Sequence, residues 1–394
     1  MEQKKEQIEL SIIMPCLNEA DTLEICIRKA ISSIEKFSIS AEIIIADNGS
    51  TDGSIEIAKR CDARVVHVVA KGYGNALMGG IEAARGKYII MGDADDSYDF
   101  LDIFKFVERL REGYDLVQGC RLPSGGGTIL PGAMPFLHRW WGNPMFSWMV
   151  RTWFHAPIHD VYCGLRGFTK TLYERLDQRC TGMEFATEMI IKSSLYKEKI
   201  TEVPITLHPD GRKSHPPHLK TFRDGWRTLR FFLMYSPRSL FMTPGVLMVA
   251  LGLLGSVIAW LGVKIGNATL DVHTLMYSCL SILCGYQAIW FAIFTKTFAI
   301  NERMMPEDEK LSVLYKILPL ERGLILGLFS VMIGLFLLTI IFFYWRSKGF
   351  GTLDYSQTMR LVIPGATLTA IGVQTIFSSF FTSILGMRRR EGIS

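Results

Sequence analysis

No CxxC pair occurs among the eight cysteines of this 394-residue chain, which removes the usual zinc and thioredoxin-like spacings. His155 and His159 stand four apart, but Pro157 between them breaks any shared helical face. No structural zinc is expected. A GxGxxG fingerprint and a GK[ST] loop are both missing, so neither a dinucleotide-dependent redox domain nor a P-loop ATPase is supported. Net charge is only +5, too little to argue for nucleic acid as a partner. Met1 to Glu9 is polar and lacks the apolar core of a signal peptide, which leads us to expect the first domain in the cytosol. Several cysteines sit in apolar contexts, where a free thiol behaves as a small hydrophobe, and a reducing compartment is expected for the N-terminal part.

What is abundant is unevenly spread. Hydrophobic residues make up 49% of the chain, and the mean hydropathy is +0.22. Residues 1–235 read as a charged, mixed α/β sequence. Residues 239–386 are long apolar runs with short polar breaks. In the first part, strand and helix patterns alternate. Strands are expected at Leu10–Met14, Glu42–Ala46, Arg64–Val69, Tyr88–Met91 and Asp115–Gln118, with helices at about Asp21–Phe37 and Ala76–Ala84. Such β-α-β repeats imply a mostly parallel, doubly wound sheet. Ser50 or Thr51 is expected to cap the helix after the second strand.

The most informative run is Gly92-Asp93-Ala94-Asp95-Asp96-Ser97. It places two carboxylates, one residue apart, at the carboxyl end of a buried strand, where open α/β sheets bind ligands. Close carboxylates repel unless a cation neutralises them. A hard divalent ion shared with substrate phosphates suits them, and a nucleotide-linked substrate follows. Glu19 and Asp47, on neighbouring strand-end loops, suit ribose hydroxyls or base nitrogens. Gly72-Tyr73-Gly74-Asn75 is read as a turn that lets backbone approach a ligand.

Two segments have the composition of a membrane surface. Between Gly132 and Phe154 lie Trp140, Trp141, Trp148 and Trp153, with Arg139 and Arg151 among them. From Lys220 to Arg230, the basic residues Lys220, Arg223, Arg227 and Arg230 recur at helical spacing around Trp226. Four runs then qualify as spans: 240–263, 275–300, 324–344 and 361–387. Arg388-Arg389-Arg390 and the basic middle loop place both chain ends on the cytosolic side of an inner (plasma) membrane. The expected domains are 1–218 catalytic, 219–238 a juxtamembrane amphipathic helix, and 239–394 transmembrane.

Six stretches in order resemble motifs of the family-two glycosyltransferases of the GT-A fold, and more closely the membrane-tethered polyprenyl-phosphate (dolichyl-phosphate) sugar synthases. They are Pro15-x-x-Asn18-Glu19, Asp47-Asn48-Gly49-Ser50-Thr51-Asp52, Asp93-Ala94-Asp95, Gly119-Cys120-Arg121, Asp160-Val161-Tyr162-Cys163-Gly164-Leu165-Arg166, and Glu202-Val203-Pro204-Ile205 with Arg212-Lys213-Ser214. Asn48 departs from the acidic residue usual there. The resemblance implies a GT-A catalytic sheet, interfacial helices and an all-α membrane domain of four helices. It implies an inverting transfer of a hexose from a nucleotide sugar, UDP-glucose first and GDP-mannose second, to a polyprenyl phosphate in cell-envelope glycan synthesis. Pro15, Asn18, Glu19, Asp47, Gly72, Asp93 and Glu184 would bind the donor. Asp93 and Asp95 would hold Mg²⁺ or Mn²⁺. Arg121, Arg139, Arg166, Arg212 and Lys213 would bind the acceptor phosphate, with Asp95, Asp160 and Arg121 catalytic. Asp160 is expected to orient the acceptor or a nearby cation, and relatives of this kind form homo-oligomers through their tails. Weighed against it are transfer to a lipid hydroxyl or a growing polysaccharide, and a non-enzymatic sugar-nucleotide-binding accessory of a lipid-linked sugar flippase. The Gln-x-x-Arg-Trp motif of processive synthases is absent, since Phe136 stands at the glutamine position.

Overall fold

The computed structural model describes residues 8–213, 221–266 and 268–387. Ser214, Lys220 and the run Arg388-Arg389-Arg390 lie outside the described residues. The chain forms two compact units, Met1–Tyr235 and Ser236–Ser394.

In the first unit the strands are β1 (Leu10–Cys16), β2 (Ala41–Asp47), β3 (Arg64–His67), β4 (Tyr88–Met91), β5 (Leu116–Cys120), β6 (Thr128–Ile129), β7 (Arg166–Thr169), β8 (Ile200–Pro204) and β9 (Thr206–Leu207). Its helices are α1 (Leu23–Lys36), α2 (Ser54–Arg60), α3 (Tyr73–Ala83), α4 (Ile103–Arg111), α5 (Asn143–Phe154), α6 (Lys170–Leu176), α7 (Glu184–Leu195) and α8 (Thr221–Tyr235). Seven strands form one sheet in the order β3-β2-β1-β4-β7-β5-β8. β1 pairs in parallel with β2 and β4, β2 with β3, and β5 with β8. β7 runs antiparallel to both of its neighbours. This is the mostly parallel, doubly wound sheet expected of a GT-A domain.

Helices pack on the sheet because their apolar residues share a face. In α4, Ile103, Phe106, Val107 and Leu110 recur at helical spacing and are all buried. They meet Ile12, Met14, Ile90 and Val117 of the strands in one core. Two local expectations change. Pro15 lies inside β1, paired with Ala46, rather than in the following loop. Neither Ser50 nor Thr51 caps α2: Gly53 holds that position in the left-handed region at φ 93°. Asp52, one residue before that position, accepts from Ser54 N at 3.1 Å, while Ser50 N is drawn back to Asp47.

The second unit is helical: α9 (Thr243–Leu261), α10 (Val272–Asn301), α11 (Glu309–Ile317), α12 (Leu320–Ser347) and α13 (Tyr355–Leu385). Among the described residues, four helices are long and apolar enough to cross a membrane: Arg238–Leu261, Val272–Asn301, Leu320–Ser347 and Tyr355–Leu385. In lipid, only closely packed backbones gain much from helix contact, so small residues line the seams. A Cβ on Gly372 would stand 2.6 Å from the carbonyl oxygen of Gly327, and one on Gly245 would stand 2.8 Å from that of Gly285. The Tyr286 hydroxyl joins Thr375 at 2.7 Å, tying α10 to α13.

Candidate active site

Parallel strands deliver their carboxyl ends to one edge, and the motifs follow those ends. Pro15 to Glu19 follow from β1, Asp47 ends β2, Asp93 follows β4 and Arg121 follows β5. β7 runs the other way, so the 160–165 loop enters at that same edge. The first two loops are sewn together. Asn18 Oδ1 accepts from Thr51 N at 2.8 Å, Glu19 N donates to Ser54 Oγ at 3.0 Å, and Ala20 N donates to Asp52 at 2.9 Å. Asn18 therefore serves loop geometry. Asn48, standing where an acid is usual, clamps the next loop. Its amide donates to the carbonyls of Val68 and Ala70, and its Oδ1 accepts from Gly72 N at 2.9 Å. The Asp47 carboxyl is held below its ordinary range. Burial opposes this, but the Ser50 N–H and hydroxyl, His67 and the Gly49 N–H outweigh it.

The paired carboxylates have different neighbours. Asp93 accepts from the Tyr73 hydroxyl at 2.9 Å, and its Oδ2 lies 2.5 Å from where a Cβ on Gly164 would stand. Burial first, then the Asp95 charge, push the Asp93 carboxyl up to about 6. Asp95 accepts from Ser97 N and Oγ on one oxygen, at 3.0 and 2.6 Å. Its other oxygen meets Arg212 Nη2 at 2.9 Å. Arg212 also bonds Glu19 at 3.1 Å and Asp210 at 2.7 Å. The strap that carries it is pinned across the motif, for Gly211 N donates to Asp95 O at 2.9 Å and His208 N to Ser97 O. The guanidinium stays charged well above its ordinary value. Burial opposes this and the three carboxylates prevail.

Arg212 lies against Asp95, and burial with the Asp95 charge raises Asp93, so positive charge beside this pair is favourable. Among the described residues no group of three or more His, Cys, Asp or Glu side chains could hold a metal ion by itself. Two carboxylates plus substrate oxygens is the arrangement a hard divalent ion accepts, so the donor set fits Mg²⁺ or Mn²⁺.

Beside this pair sits a buried fork. Arg121 Nε and Nη2 donate to the two Asp160 oxygens at 2.7 and 2.8 Å, and Arg121 N adds a third bond at 3.0 Å. Asp160 is wholly buried, and Glu202 fixes its loop by accepting from His159 N and Asp160 N. Burial would lower the Arg121 pKa, yet Asp160 drives it well above the ordinary value. Nη1 makes a long contact with Tyr98 Oη at 3.5 Å.

Other expected site residues lie differently. Arg166 is buried in β7 and donates to the carbonyls of Ala186 and Cys163, and burial lowers its pKa. Its head group is spent inside the domain. Arg139 is half-buried on a π-helical turn, over the Trp140 ring at 5.6 Å. Lys213 is exposed at the end of the strap, its backbone N–H on Asp21. A Cβ on Gly72 would meet Thr181 O at 2.6 Å, so protein backbone approaches closely at that glycine. Glu184 opens α7 with its carboxylate folded back beside Gly182. The residue we did not anticipate is Tyr73. Its place between two glycines of a strand-end turn was the available signal.

The match to known families agrees with this layout. Residues 11–177 match Glycosyl transferase family 2, and residues 293–386 match the Glycosyltransferase family 2 C-terminal transmembrane region. The low-salt glycan biosynthesis hexosyltransferase Agl6 of Haloferax volcanii is 36% identical over 96% of this chain and 89% of its own length. The chain is a family-two glycosyltransferase. This glycosyltransferase is also 29% identical to the dolichyl-phosphate hexose transferase of Haloferax volcanii, over 50% of the chain and 82% of the relative. Among solved structures, glucosyl-3-phosphoglycerate synthase from Mycobacterium tuberculosis, with Mn²⁺, UDP and glucosyl-3-phosphoglycerate, overlaps 58% of this chain and 78% of that one. The identity is 20% and the TM-score 0.43, too low to transfer geometry. A family-two glycosyltransferase with this tail is a multi-pass membrane protein using a nucleotide-sugar donor.

Proposed function

We propose that the protein transfers a hexose from a nucleotide sugar to a polyprenyl phosphate, with inversion, at the cytosolic face of the membrane. The observation that carries this reading is the gathering of two carboxylates, Asp93 and Asp95, with the buried guanidinium of Arg121 and the half-buried one of Arg212 at one sheet edge. Glu19 and Asp47 hold the nucleoside end. A divalent cation on Asp93 and Asp95 would stabilise the charge growing on the departing diphosphate. Arg212 exchanges partners, releasing Asp95 and turning its fork to a phosphate oxygen, for which the guanidinium is well shaped.

The acceptor phosphate is already ionised near neutral pH, its second pKa being about 6. One of its oxygens bonds the anomeric carbon from the face opposite the diphosphate. The carbon–oxygen bond to the diphosphate breaks, and its electron pair leaves with the nucleotide. No proton has to be removed from the acceptor. Asp160 fits that scheme, since both of its oxygens are committed to Arg121. It positions Arg121 and takes no proton.

The lipid reading draws on a second surface within the first unit. Phe232 of α8 packs between Phe146 and Phe154 of α5, with ring centroids 5.7 and 6.1 Å apart. Trp148 on α5, Trp226 on α8, and Trp140 and Trp141 on the turn leading into α5 are exposed. Such rings suit the headgroup level of a bilayer. The relatives' names, a hexosyltransferase and a dolichyl-phosphate hexose transferase, favour a hexose and a lipid phosphate. UDP-glucose is the first donor to test and GDP-mannose the second. Membranes containing the protein, given labelled nucleotide sugars, should move label into the organic phase with polyprenyl phosphate. Equal transfer to plain polyprenol, or full transfer in excess chelator, would refute the proposal.

A further inference from the structure

Glu188 on α7 and Lys192 one turn later are both fully buried, 2.8 Å apart. Such a pair gains little over apolar side chains of the same size, so its partners matter more than its energy. The Glu188 carboxylate accepts from Arg179 N and Cys180 N, at 3.0 and 2.8 Å, and from the Tyr235 hydroxyl at 3.2 Å. Lys192 donates to the carbonyls of Leu176 and Asp177 at 3.0 and 2.7 Å. Between them the two side chains set the course of the backbone from 176 to 180.

That backbone lies on the glycine turn of the active site. Asn75 N donates to Thr181 O at 3.3 Å. A Cβ on Gly72 would come to 2.6 Å from Thr181 O, and one on Gly74 to 2.5 Å from Cys180 O. Contact this tight leaves the turn no freedom to shift alone. The residue between those glycines is Tyr73, whose hydroxyl donates to Asp93 at 2.9 Å. A continuous series of contacts thus runs from Tyr235, the last residue of α8, through Glu188 and the 179–181 backbone to Tyr73 and Asp93.

We infer that Glu188 is a positioning residue for Asp93, acting through the 179–181 backbone and Tyr73, and that Tyr235 couples the seating of α8 to the metal-binding carboxylate. The inference rests on the proposal that Asp93 holds a divalent cation. Placement of α8 on a bilayer thereby bears on the affinity for that ion.

The test is Mn²⁺ binding to the purified full-length protein in lipid nanodiscs, read from the electron paramagnetic resonance of the free ion. Tyr73→Phe and Glu188→Gln should each weaken binding by about tenfold, the scale at which an outer-shell partner's loss shows. Tyr235→Phe should weaken it by less. Because Glu188 acts through Tyr73, the double variant should bind no more weakly than the weaker single variant. Wild-type affinity in Glu188→Gln and Tyr235→Phe, or losses that multiply to about a hundredfold in the double variant, would overturn the inference. If Glu188→Gln fails to fold, Tyr235→Phe decides alone, since it removes one hydroxyl, and wild-type affinity there overturns the coupling. Asp93→Asn is the separate control: if it binds Mn²⁺ as tightly as wild type, the metal reading itself fails.

Discussion

Asp93→Asn should make the protein more stable while abolishing its use of a metal. The side chain is bonded to Tyr73 on one oxygen and set against Gly164 on the other. Burial and the Asp95 charge push its carboxyl up to about 6, against about 3.9 in an unfolded chain. The folded state therefore holds the proton more tightly, and stability falls as pH rises from about 3.9 through about 6. At 1.36 kcal/mol per pKa unit the full loss approaches about 3 kcal/mol. Asp93 is only partly shielded from solvent, so about half of that is a fair lower figure. Asparagine keeps the acceptor for Tyr73 and removes the charge. At pH 8 its unfolding midpoint, followed by intrinsic fluorescence, should rise by about 3 to 10 °C. At pH 5 the gain should shrink by about half, because wild-type Asp93 is then largely protonated. Mn²⁺ should raise the wild-type midpoint and leave the variant unmoved. An Asp93→Asn protein that is less stable than wild type by the same margin at both pH values would refute this account of the site.

Three further outcomes follow from the geometry. Arg212→Ala removes the positive partner of Asp95 and Glu19; transfer should fall, with KM for the lipid acceptor rising more than KM for the donor in steady-state assays. Asp160→Asn leaves Arg121 buried without its counter-charge and should cost about 3–5 kcal/mol of stability; a normally stable Asp160→Asn protein with no turnover would instead mark Asp160 as a base. Gly372→Leu drives a side chain into Gly327 and Val331. It should part α12 from α13 and reduce the folded yield in detergent, read by size-exclusion chromatography, whereas Gly349→Leu, where a Cβ meets nothing within 4 Å, should cost far less despite its positive φ.

Much of the candidate site could be read before any coordinates. Alternating strand and helix patterns imply parallel strands with crossovers of one hand. That alone sends Asp47, Asp93 and Arg121 to a common edge. The four spans follow from composition, because a backbone in lipid must satisfy its own hydrogen bonds and only a long apolar helix does so. The amphipathic spacing of Lys220 to Arg230 likewise anticipates the helix Thr221–Tyr235.

Tertiary structure decided what each charge does. Arg166 and Arg121 are both arginines in motif positions, yet one spends its head group on carbonyls and the other grips Asp160, 39 residues away. Arg212 reaches Asp95 across 117 residues of chain. The turn at Gly72 and Gly74 has no room for a Cβ because Thr181 and Cys180 lie on it. Sequence pattern records the period of an element and the edge it leads to, since those depend on local backbone geometry. The partner of a buried charge depends on which distant loop closes over it, and only the packed chain specifies that distance.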